Sequence, residues 1–353
     1  FAHEMIRATA ESDLDRTANF ATLDLIASLQ WVRDNIAAFG GNPENVTIFG
    51  ESAGGHNVAS LLASPVAAGL FQRAIIQSGS FDSYSLAEAE NEFPRASDKV
   101  VAELGVASAD ALRALPLEEL LFAYWNPEGA FAEMPRIIED GVVLPAGPMR
   151  DAFASMETFN AVPIITGTNR DEMKFFYLAD PRLTKQFLGL FTVARDQRFY
   201  DAISEYTARV WRVRAVDGPA GMMAAAGHTD VYAYRFDWDE GGRFLFSDLS
   251  KLVGAGHAIE IPFVFNRFRL LGDADRIMFT KGTTDSREAL SRTMGDYWAS
   301  FAASGQPAAG GAPAWPVYST EGGSLMRFDS AEDGGIEVIT GADSMEALLE
   351  DLA

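Results

Sequence analysis

The chain has 353 residues, 48% hydrophobic and 22% charged, the balance of a globular protein long enough to bury a sizeable core. Its 50 acidic residues against 28 basic give a net charge of −22, and no basic patch stands out, which argues against nucleic acid as a partner. The absence of cysteine excludes disulfides, thiolate metal sites and a cysteine nucleophile, and no apolar run approaches the roughly 18 residues of a membrane span. The acidity reads as a solvated surface that aids solubility. The chain opens at Phe1 rather than methionine and carries no readable signal peptide, so localisation is left open.

In chain order, Leu25, Ile26, Leu29, Val32 and Ile36 recur at helical spacing, with Asn19 as the expected N-cap and Gly40-Gly41 as the stop. A turn at 42–45 leads into a short β-branched and aromatic run at 46–49. Residues 55–62 read as a helix and 74–78 as a second buried strand. Residues 87–125 are expected to be helical, with breaks at Pro94 and Pro116. Residues 162–166 form a third buried strand, followed by a helix-rich insert over about 172–214. A strand is expected at 231–236, a long helix at 285–304, a surface loop at 307–313, and short terminal strands or extended pieces at 315–318, 325–328 and 336–339. Strands separated by helices indicate an α/β fold with a largely parallel sheet, taken as a single domain.

Between the 46–49 strand and its helix lies Gly50-Glu51-Ser52-Ala53-Gly54. A G-x-S-x-G turn between strand and helix is a nucleophile elbow. The sharp turn lifts the serine hydroxyl off the sheet, and residues without bulk let the flanking backbones approach. The Ala53 N–H then points into the site as an oxyanion donor. A serine hydroxyl needs a base oriented by a carboxylate. Of the four histidines, His3 precedes the first helix, His56 lies four residues past the serine, and His228 lies before a strand. Only His257, in the loop Gly254-Ala255-Gly256-His257-Ala258, has both a loop setting and the downstream position that the order nucleophile, acid, histidine requires. The acid belongs between 52 and 257 at the carboxyl end of a strand. Asp171 and Glu172 both qualify, both also suit a helix N-terminus, and spacing does not choose between them.

Several ordered segments resemble the type B carboxylesterase family, which includes cholinesterases, para-nitrobenzyl esterases and the non-catalytic neuroligins. They are residues 45–55 around the elbow, 30–41 before it, Gln77-Ser78-Gly79-Ser80, the Gly-x-Asn-x-Asp-Glu of 167–172, residues 256–265 around His257, and Trp315-Pro316-x-Tyr318. The resemblance implies the α/β-hydrolase fold with helical insertions and a serine carboxylesterase activity that needs no cofactor and no metal. It selects Glu172, so that the implied triad is Ser52, Glu172 and His257. It also implies a supporting hydroxyl at Ser78 and supporting carboxylates at Glu51 and Glu260. The implied partner is a small-molecule ester. An amidase or lactonase on the same triad, or a neuroligin-like binding protein, are the alternatives.

Two features depart from the family pattern. Met173 stands where a glycine commonly follows the acid, which narrows the expected pocket. The family's nucleophile also lies deeper in its chain, after several strands and a His-Gly-Gly type loop that supplies the remaining oxyanion donors. A leading segment with that loop is therefore expected, in the same protein or as a second chain, and residues 1–353 alone are expected not to work as an esterase. Phe175, Phe176, Phe187 and Phe191 are candidates for a gorge lining, although aromatic residues in a helical insert more often fill a core.

Overall fold

The short apolar runs of the sequence become neighbouring strands of one sheet. In the computed structural model, which describes residues 1–124, 134–187, 189 and 191–351, six strands form it: β1 (Thr47–Glu51), β2 (Arg73–Gln77), β3 (Ile164–Asn169), β4 (Val231–Phe236), β5 (Leu325–Phe328) and β6 (Glu337–Ile339). They lie side by side in that order. The pairs from β1 to β5 are parallel, and β6 returns antiparallel at the edge. Parallel strands need crossovers that cover their faces, so their residues are buried on both sides. Every residue of β3 is buried, and Ile165 pairs with Ile75 on one side and Tyr232 on the other.

Two compact units make up the chain, Phe1–Glu44 with Ala59–Phe71 and Phe81–Ala161, and Asn45–Val58 with Gln72–Ser80 and Val162–Ala353. The second contains the whole sheet. Its core is aromatic: Tyr234, Phe236, Trp238, Phe263, Tyr297, Trp298, Phe301 and Phe328 are buried around the sheet and the long helix Thr284–Ser304. Burying each such ring contributes about 1.5–3 kcal/mol. Trp315 sits in this cluster, 5.3 Å from both Tyr297 and Phe328, and its indole N–H donates to Ala233 O at 3.0 Å. The 315–318 segment is not a strand, because Pro316 has no N–H to give a ladder. Tyr318 N–H makes a single bond to Val231 O at 2.7 Å.

The first unit contains the helices Phe20–Asn35, Ser97–Leu104 and Leu117–Tyr124. Asn19 holds the N-cap position of the first, but its side chain does not cap it. Instead Asn19 exchanges two hydrogen bonds with the backbone of Ile138, at 2.7 and 3.0 Å. The helical stretch expected to reach Trp125 has that last residue outside the described residues, and Gly40, with φ of +85°, stops the turn after the first helix. The 172–214 insert departs from the helix-rich expectation in one respect. Between the helices Glu172–Tyr177 and Gln197–Arg212 the strands Thr184–Phe187 and Phe191–Ala194 form an antiparallel hairpin. Thr184, Phe187, Phe191, Thr192 and Val193 favour extended backbone.

Candidate active site

β1 ends at Glu51, and the helix Ala53–Ala63 begins two residues later. Ser52 between them has φ of +56°, a left-handed conformation that few non-glycine residues adopt. Its N–H donates to Gln77 O at 2.9 Å, and its C=O accepts the His56 N–H at 3.0 Å, the first turn of the helix. The elbow is tight at Gly50, where a Cβ would fall 2.4 Å from the Gly54 backbone. A Cβ on Gly54 would meet open space, so the close approach the motif requires is met by Gly50. Ala53 is the first residue of the helix, where N–H groups have no intrahelical acceptor.

β3 leads to the two candidate acids. After Asn169 the chain turns into the helix Glu172–Tyr177, and the adjacent carboxylates diverge. Glu172 is fully buried, and its Oε2 lies 2.5 Å from His257 Nδ1. Its other oxygen accepts Ser78 Oγ–H at 2.5 Å and the Asn169 N–H at 2.8 Å. Asp171 goes elsewhere. It accepts the Ala255 N–H at 3.1 Å and pairs with Arg170 at 2.8 Å and Lys174 at 3.1 Å. Burial opposes its ionisation, but the two cations outweigh it and hold the Asp171 carboxyl below the usual range. Asp171 thus anchors the segment leading to His257 without touching the imidazole in this network.

The other end of the His257 ring meets Glu51. Nε2 lies 3.2 Å from Glu51 Oε1, although neither atom has a hydrogen bond of good geometry among the described residues. His257 Nε2 has no hydrogen-bond partner among the described residues, so Ser52 Oγ does not bond to it. Behind the ring Glu260 is fully buried and takes two amide donors, Gln77 Nε2 at 2.9 Å and Asn169 Nδ2 at 2.7 Å. Trp298 Nε1 in turn donates to Gln77 Oε1 at 3.2 Å. Gln77 and Asn169 lie inside motifs visible in the sequence, yet only their partners reveal what they hold. Two further non-glycine residues adopt positive φ beside this network, Ser78 at +48° and Ala258 at +68°. Such conformations persist only where the surroundings over-determine them, and they cluster at functional sites.

Three carboxylates around one imidazole set the electrostatics. Burial lowers the affinity of His257 for a proton, but the hydrogen bond and charge of Glu172, with Glu51 and Glu260 behind it, push its pKa up to about 9. Burial, the charge of Glu260 and that of Glu172 raise Glu51 to about 8, against the opposing pull of His257. Burial and Glu172 also raise Glu260. Aromatic rings pack at a tilt around the imidazole: Trp211 lies 4.9 Å and Phe176 5.0 Å from it, with Phe175 at 6.4 Å. Phe187 and Phe191 stack on each other in the hairpin, 5.1 Å apart. His228 is occupied elsewhere, with Nε2 at 2.8 Å from Val162 O and Nδ1 accepting the Asp230 N–H, and His3 accepts the Met5 N–H. Among the described residues no group of three or more His, Asp or Glu side chains is arranged to hold a metal ion, and no helix is long and apolar enough to cross a membrane.

Comparison with known proteins bears on this arrangement. The carboxylesterase family model matches residues 9–212 and 191–345. Carboxylesterase 5A of Felis catus is 33% identical over 341 residues, covering 88% of this chain and 61% of that protein. The para-nitrobenzyl esterase of Bacillus subtilis is 32% identical over 333 residues, covering 88% and 64%. The chain therefore spans less than two thirds of the length of these curated relatives. Among solved structures, the Geobacillus stearothermophilus carboxylesterase at pH 6.2 superposes with a TM-score of 0.71 at 31% identity, covering 98% of this chain and 72% of that one. A PNB esterase gives 0.66 at 28% identity, covering 94% and 68%. These structures share the mostly parallel sheet with helices that defines the α/β-hydrolase fold, and the chain belongs to the carboxylesterase family.

Proposed function

We propose that this chain carries the catalytic centre of a serine carboxylesterase, with Ser52 as nucleophile, His257 as general base and acid, and Glu172 as the carboxylate that orients the imidazole. The observation that supports it most is the 2.5 Å contact of Glu172 with His257 Nδ1, which turns Nε2 toward the end of β1 and the elbow. Catalytic hydrogen bonds are often loose without substrate and tighten when it binds, so the unmade bond from Ser52 to Nε2 is compatible with this role.

The chemistry runs as acyl transfer. Ser52 Oγ attacks the ester carbonyl carbon while His257 Nε2 takes its proton, and Glu172 stabilises the imidazolium that results. The Ala53 N–H stabilises the oxyanion of the tetrahedral intermediate. His257 then protonates the departing alcohol, leaving an acyl-serine. Water, deprotonated by His257, attacks that acyl group, and His257 returns the proton to the leaving Ser52 Oγ as the carboxylic acid is released. Asn169 and Ser78 hold Glu172 in place for both halves. The substrate class is a small carboxylic ester.

The test is hydrolysis of para-nitrophenyl esters of graded acyl length before and after treatment with an organophosphonate. Hydrolysis abolished in proportion to phosphonate uptake is expected. Failure of the chain to hydrolyse any ester when supplied with the expected leading segment, or hydrolysis that survives full phosphonylation, would contradict the reading.

A further inference from the structure

We propose that Trp211 is a positioning residue for His257, its indole face holding the imidazole and favouring the ring in its cationic form. Trp211 is the second-last residue of the helix Gln197–Arg212. Its ring centroid lies 4.9 Å from that of His257 with the planes 44° apart, and it stacks on Phe176 at 5.8 Å and 21°. The helix is fixed where it matters. Asp196 caps its start by accepting the Arg198 N–H at 2.9 Å, and buried Arg212 pins its end on Asp217 at 2.9 Å. Tyr200 on the same helix donates its hydroxyl within reach of Lys174 O at 3.0 Å and Leu252 O at 2.7 Å. One carbonyl belongs to the helix that carries Glu172, the other to the segment that leads to His257. The element that presents Trp211 is thus tied to both members of the ion pair it overlooks.

The chemistry assigns a division of labour around the ring. The carboxylates of Glu51, Glu172 and Glu260, with the buried Tyr234 hydroxyl near them, surround His257 with negative charge and polarity. Aromatic rings pack against it at a tilt, and His257 is only 4% exposed, so little water reaches it. An aromatic face carries negative charge density and attracts a cation, most strongly for indole and most strongly where water is excluded. Trp211 itself is only partly buried, so filling the core is not a sufficient reason for an indole there. The inference rests on His257 being the proton carrier proposed above, but its test reads the ring directly.

The experiment compares Trp211→Phe and Trp211→Leu by NMR titration of the imidazoles, with His257 assigned among only four histidines by its loss in His257→Gln. Both variants shrink the side chain and remove the indole N–H, and only leucine removes the aromatic face. The His257 midpoint is expected to stay near the parent value in the phenylalanine variant and to fall by about one pH unit in the leucine variant. The plateau kcat of the leucine variant should fall about tenfold with KM little changed. If leucine does not fold, Trp211→Met carries the same comparison. Equal midpoints in all three proteins, or equal shifts in both variants, would overturn the assignment. A parent enzyme whose Ser52 takes up no phosphonate would instead sink the esterase reading and leave the titration result standing.

Discussion

His257 Nε2 lies 3.2 Å from Glu51 Oε1, on the side of the ring opposite its contact with Glu172. The residue immediately before the proposed nucleophile therefore faces the atom proposed to take the nucleophile's proton. Its charge favours imidazolium, while hydrolysis needs imidazole. With the His257 pKa pushed up to about 9, the neutral fraction is lost as pH falls through that value, so the acid limb of kcat/KM should lie above the ~6.5 of an ordinary histidine. Glu51→Gln removes one negative neighbour and should move the limb to lower pH, by about one unit. A pH profile in which Glu51→Gln leaves the limb in place, or raises it, would remove Glu51 from this role.

Glu172→Gln should cut kcat by about 10³–10⁴, because the amide no longer stabilises the imidazolium or enforces its tautomer. Asp171→Asn should leave kcat within about threefold, since its carboxylate serves Arg170, Lys174 and the Ala255 N–H. Its cost should appear as stability, about 1–3 kcal/mol, softened because Arg170 keeps Asp239 and Lys174 keeps Asp201. Kinetics and chemical denaturation of the two variants check this, and the opposite ranking in kcat would transfer the acid role.

Ser78→Ala deletes one donor to Glu172 and leaves the Asn169 N–H in place. A hydrogen bond to a charged group is worth about 1.5–3 kcal/mol. Part of that should be felt in the transition state, giving about a tenfold loss in kcat with KM nearly unchanged. Steady-state kinetics on a para-nitrophenyl ester reads it, and an unchanged kcat would make Ser78 a structural hydroxyl only.

The elbow makes a contrast between two glycines of one motif. Gly50→Ala places a methyl 2.4 Å from the Gly54 backbone and should destabilise by about 1–3 kcal/mol or more. Gly54→Ala meets open space at the start of a helix and should be tolerated. Thermal unfolding of both variants distinguishes them, and similar losses would show that the elbow is not limited by this contact.

Much of this architecture was legible in advance, for identifiable reasons. The apolar runs that become β1 to β4 are short, carry β-branched residues and are bounded by turn residues, and Leu325–Phe328, which becomes β5, is short and apolar. Ser52 stood out because its motif joins such a run to a helix. His257 was reachable by elimination, since only it combined loop setting and downstream position. The acid was not reachable by spacing, because Asp171 and Glu172 are adjacent at the start of one helix. Only the family resemblance prefers Glu172, and the partners that separate the two carboxylates, Ala255 for Asp171 and His257 for Glu172, lie more than eighty residues away in sequence. Trp211 carries no signal of its own, and Asn169 and Gln77 lie in visible motifs whose roles only long-range neighbours define. The hairpin inside the 172–214 insert was hidden because its apolar residues, in so short a run, fit helical and strand spacing alike.

The most direct measurement traps the acyl-enzyme. The protein is mixed with a slowly deacylating para-nitrophenyl ester, quenched in acid within the burst, digested, and the acyl mass located by tandem mass spectrometry. The account predicts one acyl group on Ser52 Oγ, formed with the burst of para-nitrophenol and absent in Ser52→Ala. An acyl group on another residue, or a Ser52→Ala protein that still releases para-nitrophenol at the parent rate, would contradict it.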